Sequence, residues 1–586
     1  MSVDKHEAVM ELAKRRGFFW QSYEIYGGVA GFYDLGPLGI RLKEKIINLW
    51  REYFVKKHTH IVVEIETPII APSRVFEASG HLEHFTDPIV ECLKCGRKFR
   101  ADHLIEEKLG IKAEGLSIEE MTKLIREHDI RCPVCGGPLS EVRKFNLLFK
   151  TTIGPYSSNV GYLRPETAQG MFVAFKRVYE VSRKKLPLGI AQIGRVARNE
   201  ISPRQGMLRL REFTIAEMEF FFDPEEPYDE NMFNELLGTL SRRRLRILSV
   251  EAKQRGEEKP FEIDIEEAIR EKIIITPWLA YWMAVAQEFV HALGVDYNEM
   301  YFDEKAPEER AHYSAQTFDQ LVHVSRYGWI EVSGHSYRTD YDLSRHMKYS
   351  GQDLRVFKQY KKPIVVKRKQ IILDKAWIGR TYKARAKEIF EKISQLDPEE
   401  VLRQVEAKGF IEINGLRVPG DKISVVEKEE KITGRRFIPH VAEPSFGVER
   451  LLYMVLDHAY SIKDDRVVLR LPRRIAPIEV AVFPLVKDAR LTSIAWGIWR
   501  KLVDNGFYTI YDEEDSIGRR YARVDEVGVP AAITVDYQTL EDNTVTIRDR
   551  DTWEQVRVKV ENIVQAIREF INGASLEELA ERYGIS

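Results

Sequence analysis

The stretch Gln192–Phe222, QIGRVARNEISPRQGMLRLREFTIAEMEFFF, constrains this chain more than any other because its alternation is legible residue by residue. A strand directs residues two apart to one face. In the first run Gln192, Gly194, Val196, Arg198 and Glu200 therefore align. The loop ISPRQGML supplies Pro203 and Gly206 as turn residues. On the return, Arg209, Arg211, Phe213, Ile215, Glu217 and Glu219 share one face, and Leu210, Thr214, Ala216, Met218, Phe220 and Phe222 share the other. The second face is core. The first is too charged to be buried unpaired, and it combines guanidinium forks, an aromatic ring and carboxylates. Those groups suit a ligand that brings phosphate oxygens, a flat base and an ammonium. Taken alone, such a run could equally be a surface hairpin of mutual ion pairs.

The 586 residues, 44% of them apolar, predict three or four globular domains. The charged, amphipathic N-terminal stretch is unlike a secretory signal, and no window of about 18 residues is continuously apolar. The expectation is a cytoplasmic protein without a membrane partner. Basic and acidic residues number 89 and 91, a formal charge of -2, so any contact with nucleic acid must be a local basic patch.

Residues 4 to 16 read as a short helix closed by Gly17. The glycine-rich run SYEIYGGVAGFYDLGPLG leads to Pro37, which opens a helix with Leu42, Ile46, Leu49, Trp50 and Phe54 on its apolar side. The strand IVVEIET follows and stops at Pro68. All four cysteines then fall within 44 residues, Cys92 and Cys95 in ECLKCGR and Cys132 and Cys135 in RCPVCGG. Two C-x-x-C-G turns present four thiolates, which predicts a structural Zn²⁺ or another thiolate-bound metal with no open coordination position. A charged helix, Ile118 to His128, occupies part of the 36 residues between the knuckles.

Residues 233–325 read as a mostly helical insertion containing the arginine cluster Arg242, Arg243, Arg244 and Arg246. The segment WIEVSGHSYRTDYDLSRH returns to strand alternation, with Glu331, Ser333 and Asp342 in an acidic, polar run. A second insertion holds the basic run KKPIVVKRK, a candidate for RNA backbone. In HVAEPSFGVERLLYMVLDHA, Gly447 precedes a helix with Val448, Leu451, Leu452 and Val455 on its apolar side and Arg450 in its first turn. After PRRIAPIE the order becomes βαβαβββα, a compact α/β unit with Arg519, Arg520 and Arg523 on a helix opening. These breaks divide the chain into 1–90, 91–145, 146–232, 233–325, 326–346, 347–436, 437–474 and 475–586.

Together these motifs resemble the class II aminoacyl-tRNA synthetases, and in wording the glycyl branch of that class. The helix and strand ending at Pro68 resemble motif 1, Gln192–Phe222 motif 2 and residues 440–459 motif 3. The resemblance implies an α+β multidomain protein: an antiparallel sheet flanked by helices, a zinc-ribbon-like insertion carrying the four cysteines, and a C-terminal α/β anticodon-binding domain at 475–586. It implies a homodimer joined through motif 1, with ATP, Mg²⁺, glycine and tRNA(Gly) as substrates and partners. Arg198, Glu331 and Arg450 would be catalytic. ATP would meet Arg198, Asn199, Glu200, Leu208, Arg209, Leu210, Arg211, Phe213, Glu331, Val332, Gly447 and Arg450. Glycine would meet Arg100 of FRADH, Glu166 of RPETAQG, Phe213, Glu217, Glu443, Pro444, Ser445 and Gly447. The expected activity is ligation of glycine to the 3′ end of tRNA through glycyl-adenylate. Dinucleoside polyphosphate synthesis and a non-catalytic RNA-binding role are the competing readings. Retention of Arg198, Glu331 and Arg450 speaks against the second of these.

Overall fold

The computed structural model describes residues 4–113, 115–156, 158–203, 205–393 and 395–584. Arg204, in the loop of the central hairpin, lies outside them. The chain divides into two compact units, Met1–Leu354 with Pro439–Ser586, and Arg355–Ile438.

A nine-stranded sheet dominates the larger unit. In chain order its strands are β1 (Val62–Glu64), β2 (Leu188–Ala197), β3 (Glu212–Phe222), β4 (Arg244–Leu248) and β5 (Phe261–Asp264), followed by β6 (Met300–Glu304), β7 (Gln316–Val324), β8 (Gly328–Thr339) and β9 (His440–Gly447). They lie side by side in the order β5-β4-β6-β7-β8-β9-β3-β2-β1. Every pairing is antiparallel except β1 with β2 and β4 with β6. The central hairpin pairs Val196 with Phe213 and Gln192 with Glu217, and β9 joins its free side with Ser445 opposite Glu217.

The back of the sheet is core because alternation sends Ala216, Met218, Phe220 and Phe222 there with Phe446. Helix α1 (Pro37–Phe54) covers it with the expected line of Leu42, Ile46, Leu49, Trp50 and Phe54, all buried. A second helix, α2 (Ala168–Val181), lies against the opposite side, where its Phe175 meets Phe221. Helix α3 (Pro277–Ala292) is buried from Trp278 through Val290. Its Trp282 ring lies 5.9 Å from Phe54 and 5.1 Å from Phe220, and Phe289 lies 5.4 Å from Phe446. A helix apolar all round belongs in the middle of a large core. Helix α4 (Val448–Ala459) closes the packing. A buried ion pair ties the layers together: Lys43 Nζ of α1 donates to Glu449 Oε1 at 2.8 Å, and Glu449 Oε2 accepts the N–H of Thr214 at 2.7 Å.

Residues 233–325 correct the sequence reading. They are not a mostly helical insertion, because they provide β4 to β7 and the central helix α3. Strands β4, β5 and β6 escape detection because they have only four or five residues each, too few for a period of two to show, whereas β7 has nine and alternates buried with more exposed positions, so its period was legible. The arginines at 242–246 all have partners within the fold. Arg242 pairs with Glu262, Arg243 with Glu266, Arg244 with Glu262 and Asp264, and Arg246 donates to the carbonyls of Tyr297 and Met300.

The cysteine segment has its own small core, including Val90, Phe99, Ile105, Met121 and Ile125. Its second helix, Ile118–Glu127, starts with a Ser117–Glu120 capping box. The C-terminal α/β unit forms a five-stranded sheet over Val480–Lys559 in the expected element order, with helices Thr539–Asp542 and Leu576–Tyr583 in addition. There Arg520 is buried and donates to the carbonyls of Pro484, Leu485 and Asp512, so it braces the fold. The smaller unit is a long ribbon of Val356–Leu373 against Ile423–Phe437 beside a core of Ile378, Ile389, Val401, Ile411 and Val418. Its basic strand lies opposite an acidic one, Lys367 facing Glu429 and Lys369 facing Glu427.

Candidate active site

Two adjoining hollows, with about 620 and 810 Å³ of space free of protein atoms, open along β3, β8 and β9. Arg198, Phe213, Glu331, Gly447 and Arg450 line both, so they form one continuous cleft. Its residues come from the face opposite the aromatic back: Phe213, Ile215 and Glu217 alternate on β3, and Glu443, Ser445 and Gly447 on β9.

At the cationic end, Arg198 sits one residue past β2 and is steered by Nε donation to the Pro165 carbonyl at 3.0 Å. Its guanidinium lies 5.2 Å from the centre of the Phe213 ring. Arg450, in the first turn of α4, reaches back over the strands. Its Nη1 lies 2.6 Å from the Glu331 carbonyl and 3.2 Å from Glu331 Oε2, and its Nη2 donates to the Leu208 carbonyl at 3.2 Å. Glu200 and Arg209, 3.9 Å apart, with Leu208 and Leu210, complete this wall.

Glu331 shows 46% of its side chain, and the protein around the cleft still strips its carboxyl of some solvent. That desolvation opposes ionisation, while Arg450, Lys305 and Arg198 outweigh it and hold the carboxyl below the usual range. Asp319 lies on β7, beside β8, and lines the same hollow. Burial and the neighbouring Glu331 push it up to about 7, against the pull of Lys305 at 2.7 Å.

The acidic end is organised by Arg338, which is fully buried. Its guanidinium donates to both Asp342 oxygens at 2.8 and 3.1 Å and to Glu443 Oε2 at 2.9 Å, and lies 3.7 Å from Glu166. Tyr313 stacks over it, 3.6 Å from ring centre to guanidinium carbon. Burial opposes the charge on Glu166, yet His81 at 3.4 Å and Arg338 hold its carboxyl well below the ordinary range. Glu217 Oε2 accepts from the N–H and hydroxyl of Thr167 at 2.9 and 2.6 Å. Burial, with Glu217 and Glu166 adding to it against Arg338, pushes Glu443 well above the usual carboxylate range.

Five residues expected at the site do not line the cleft. Val332 and Pro444 are buried on the opposite face, as alternation from Glu331 and Glu443 requires. Arg211 is spent on the Glu200 and Ala30 carbonyls, and Asn199 donates its N–H to Leu147. Arg100 is held between Asp87 at 3.2 Å and Asp102. Conversely, the sequence reading passed over Arg338, Tyr313 and Asp319. Alternation from Glu331 and Ser333 points away from Arg338, because a bulge at Val332, opposite Gln320 and Leu321, shifts the strand by one residue.

The four cysteines converge, with Sγ atoms all within 4.8 Å of one another. Cys92 and Cys135 are 3.5 Å apart, Cys95 and Cys132 3.8 Å. A Cβ on Gly137 would stand 3.0 Å from Cys92 Sγ and 3.3 Å from Cys135 Sγ, so the knuckle needs glycine there. This donor set fits a tetrahedral thiolate-bound ion.

Known proteins match along the whole chain. The class II tRNA synthetase core domain (G, H, P, S and T) matches residues 156–366, and the anticodon binding domain matches residues 479–570. The glycine–tRNA ligase of Aeropyrum pernix is 59% identical over 581 residues, 99% of each chain. That of Pyrococcus furiosus is 50% identical over 98% of this chain and 100% of its own, and that of Methanocaldococcus jannaschii 44% over 97% and 99%. A solved RNA binding domain of threonyl-tRNA synthetase from Cryptosporidium parvum Iowa II shares the fold, with a TM-score of 0.50, 14% identity, and 96% and 98% of the two chains covered. Identity of 59% along the length of both chains, with both domains matched in place, means that this chain belongs to the glycine–tRNA ligase family of class II tRNA synthetases.

Proposed function

We propose that this protein condenses glycine with ATP to glycyl-adenylate and passes the glycyl group to the 3′ end of tRNA(Gly). The observation that carries the reading is the polarity of one cleft, with Arg198, Arg209 and Arg450 at one end and Glu166, Glu217 and Glu443 at the other. A carboxylate is already ionised at neutral pH, so its attack on the α-phosphorus requires no general base. It requires placement and charge neutralisation, the terms that dominate such transfers. Arg198 would hold the α-phosphate and Arg450 the γ-phosphate, with Arg209 near the triphosphate. Phe213 offers the adenine a ring to stack on, and Glu200 accepts from its amino group. Glu166, Glu217 and Glu443 surround the glycine ammonium.

Glu331 and Asp319 are oxygen donors on neighbouring strands, and both line the hollow that also holds Arg198 and Arg450. These two would hold Mg²⁺, which when bound supplies positive charge to phosphate oxygens. The four cysteines would hold Zn²⁺ in a structural role. Among the described residues no helix is long and apolar enough to cross a membrane. A homodimer through α1 and β1, working in the cytoplasm, completes the proposal.

Exclusion of larger amino acids follows from a pocket walled by Tyr313, Ser333 and Ser336 around the acidic end. Pyrophosphate exchange measured with each of the twenty amino acids is expected to respond to glycine alone, followed by charging of bulk tRNA. Comparable kcat/KM for alanine would end the reading.

A further inference from the structure

Behind the proposed ammonium contacts lies a carboxyl that none of the roles above employs. Glu219 follows Glu217 by two on β3, so it points to the same face, one step deeper. It is completely buried, and neither of its carboxyl oxygens has a hydrogen-bond partner among the described residues. Carboxyl oxygens of Glu217, Glu219 and Glu443 all lie within 4.8 Å of one another. From β8 and the helix after it, Arg338 and Asp342 face the group, and Asp342 already takes two of the donations of that guanidinium. Across β2 the paired position is Ile190, with Gln192 beside it, and neither titrates. Glu166 and His81 lie beyond Arg338. Charge therefore does not balance. Five carboxyls, Glu166, Glu217, Glu219, Glu443 and Asp342, share two buried guanidiniums, Arg338 and Arg164, the second acting on Glu217, with His81 beside Glu166, and buried like charges at this spacing cannot all ionise.

We propose that Glu219 is a positioning residue of the amino-acid pocket: with Glu443 it holds a shared proton while the pocket is empty, and releases it as the substrate ammonium enters. The balance is simple. The ligand arrives as R–NH₃⁺ and stays so, one carboxyl goes from COOH to COO⁻, and one proton passes to the buffer. Burial, with Glu443 and Glu217 beside it, pushes the proton affinity of Glu219 well above that of an ordinary carboxylate, in agreement with the geometry. The consequence is selectivity for a cation at the amino end of the ligand, because an uncharged group there leaves the proton in place.

The inference rests on the reading that this end of the cleft takes an ammonium, and the experiment separates the two. A non-hydrolysable glycyl-adenylate analogue is titrated calorimetrically into the full chain at pH 7 in buffers of differing ionisation enthalpy, beside an otherwise identical analogue in which a methyl replaces the ammonium. The expected result for the native protein is release of between about half a proton and one proton per ammonium analogue bound, and none for the methyl analogue. Glu219→Gln mimics the protonated acid in shape and hydrogen bonding; it is expected to bind the ammonium analogue with release reduced at least threefold and to flatten the pH dependence of the glycine KM. Equal heats in all buffers for the native protein, or unchanged release in E219Q, overturn the role of Glu219. Equal affinity for the ammonium and methyl analogues overturns the ammonium reading itself, and the inference with it. Should E219Q fail to fold, the native protein with the two analogues still decides.

Discussion

Arg338 shows how much a single buried group can organise. One guanidinium satisfies Asp342 and Glu443 and steadies Glu166, so three acidic side chains take their positions from it. Removing one partner of a buried pair leaves the other charge uncompensated, which costs about 3 to 5 kcal/mol. Arg338→Gln is therefore expected to lower the unfolding free energy by about that amount and to abolish glycine-dependent pyrophosphate exchange. Arg338→Lys keeps the charge but not the fork, so it should recover part of the stability and little of the exchange. Denaturant unfolding of both variants checks this, and a loss below about 1 kcal/mol for Arg338→Gln would show that the acidic cluster relaxes without its cation.

At the scale of elements, the contact of α1 with α3 sets a pH limit. His58, in the turn after α1, is buried, with its Nε2 2.6 Å from the Tyr281 hydroxyl of α3. Burial, assisted by His60 and Lys57, lowers it to about 4. The folded state therefore keeps it neutral, whereas the unfolded chain protonates it near 6.5. Its contribution is complete above pH 6.5 and is lost as the pH falls toward 4, about 3 kcal/mol in all. Burial holds His335 of β8 near 3, which extends the loss. Unfolding free energies at pH 7, 5.5 and 4 should fall accordingly, and His58→Gln should make the fall shallower. Parallel pH profiles for the two proteins would refute it.

Across the whole molecule, the smaller unit can be treated as detachable. Val356 pairs with Phe437 at the foot of its ribbon, so the chain leaves and returns at one place, and the unit has its own core. Replacing residues 357–436 by an Asn-Gly turn should leave the remaining chain folded and its pyrophosphate exchange within about threefold of the full chain, since a short primed turn closes such a hairpin. Insoluble protein, or exchange reduced a hundredfold, would show that the unit is needed by the rest.

Local order was legible in the residues themselves. Alternation in Gln192–Phe222 separated Phe213 and Glu217 from Met218 and Phe220, and the helical spacing of Leu42, Ile46, Leu49, Trp50 and Phe54 marked the buried side of α1. Two C-x-x-C-G knuckles announced their own convergence because each is a tight local turn. The same alternation, applied strictly, would have removed Val332 and Pro444 from the cleft. What the sequence could not hold was information about pairing. Short strands such as Arg244–Leu248 are strands only because neighbours complete their hydrogen bonds. The partners of Arg211 and Arg100 are likewise set by the fold, which places the Glu200 carbonyl and Asp87 against them. Glu219 and Arg338, 119 positions apart, acquire their character only where β3, β9 and β8 bring them together. Periodicity is a property of neighbours along the chain, whereas the charge state of a buried group depends on neighbours across space, and those are settled by tertiary packing.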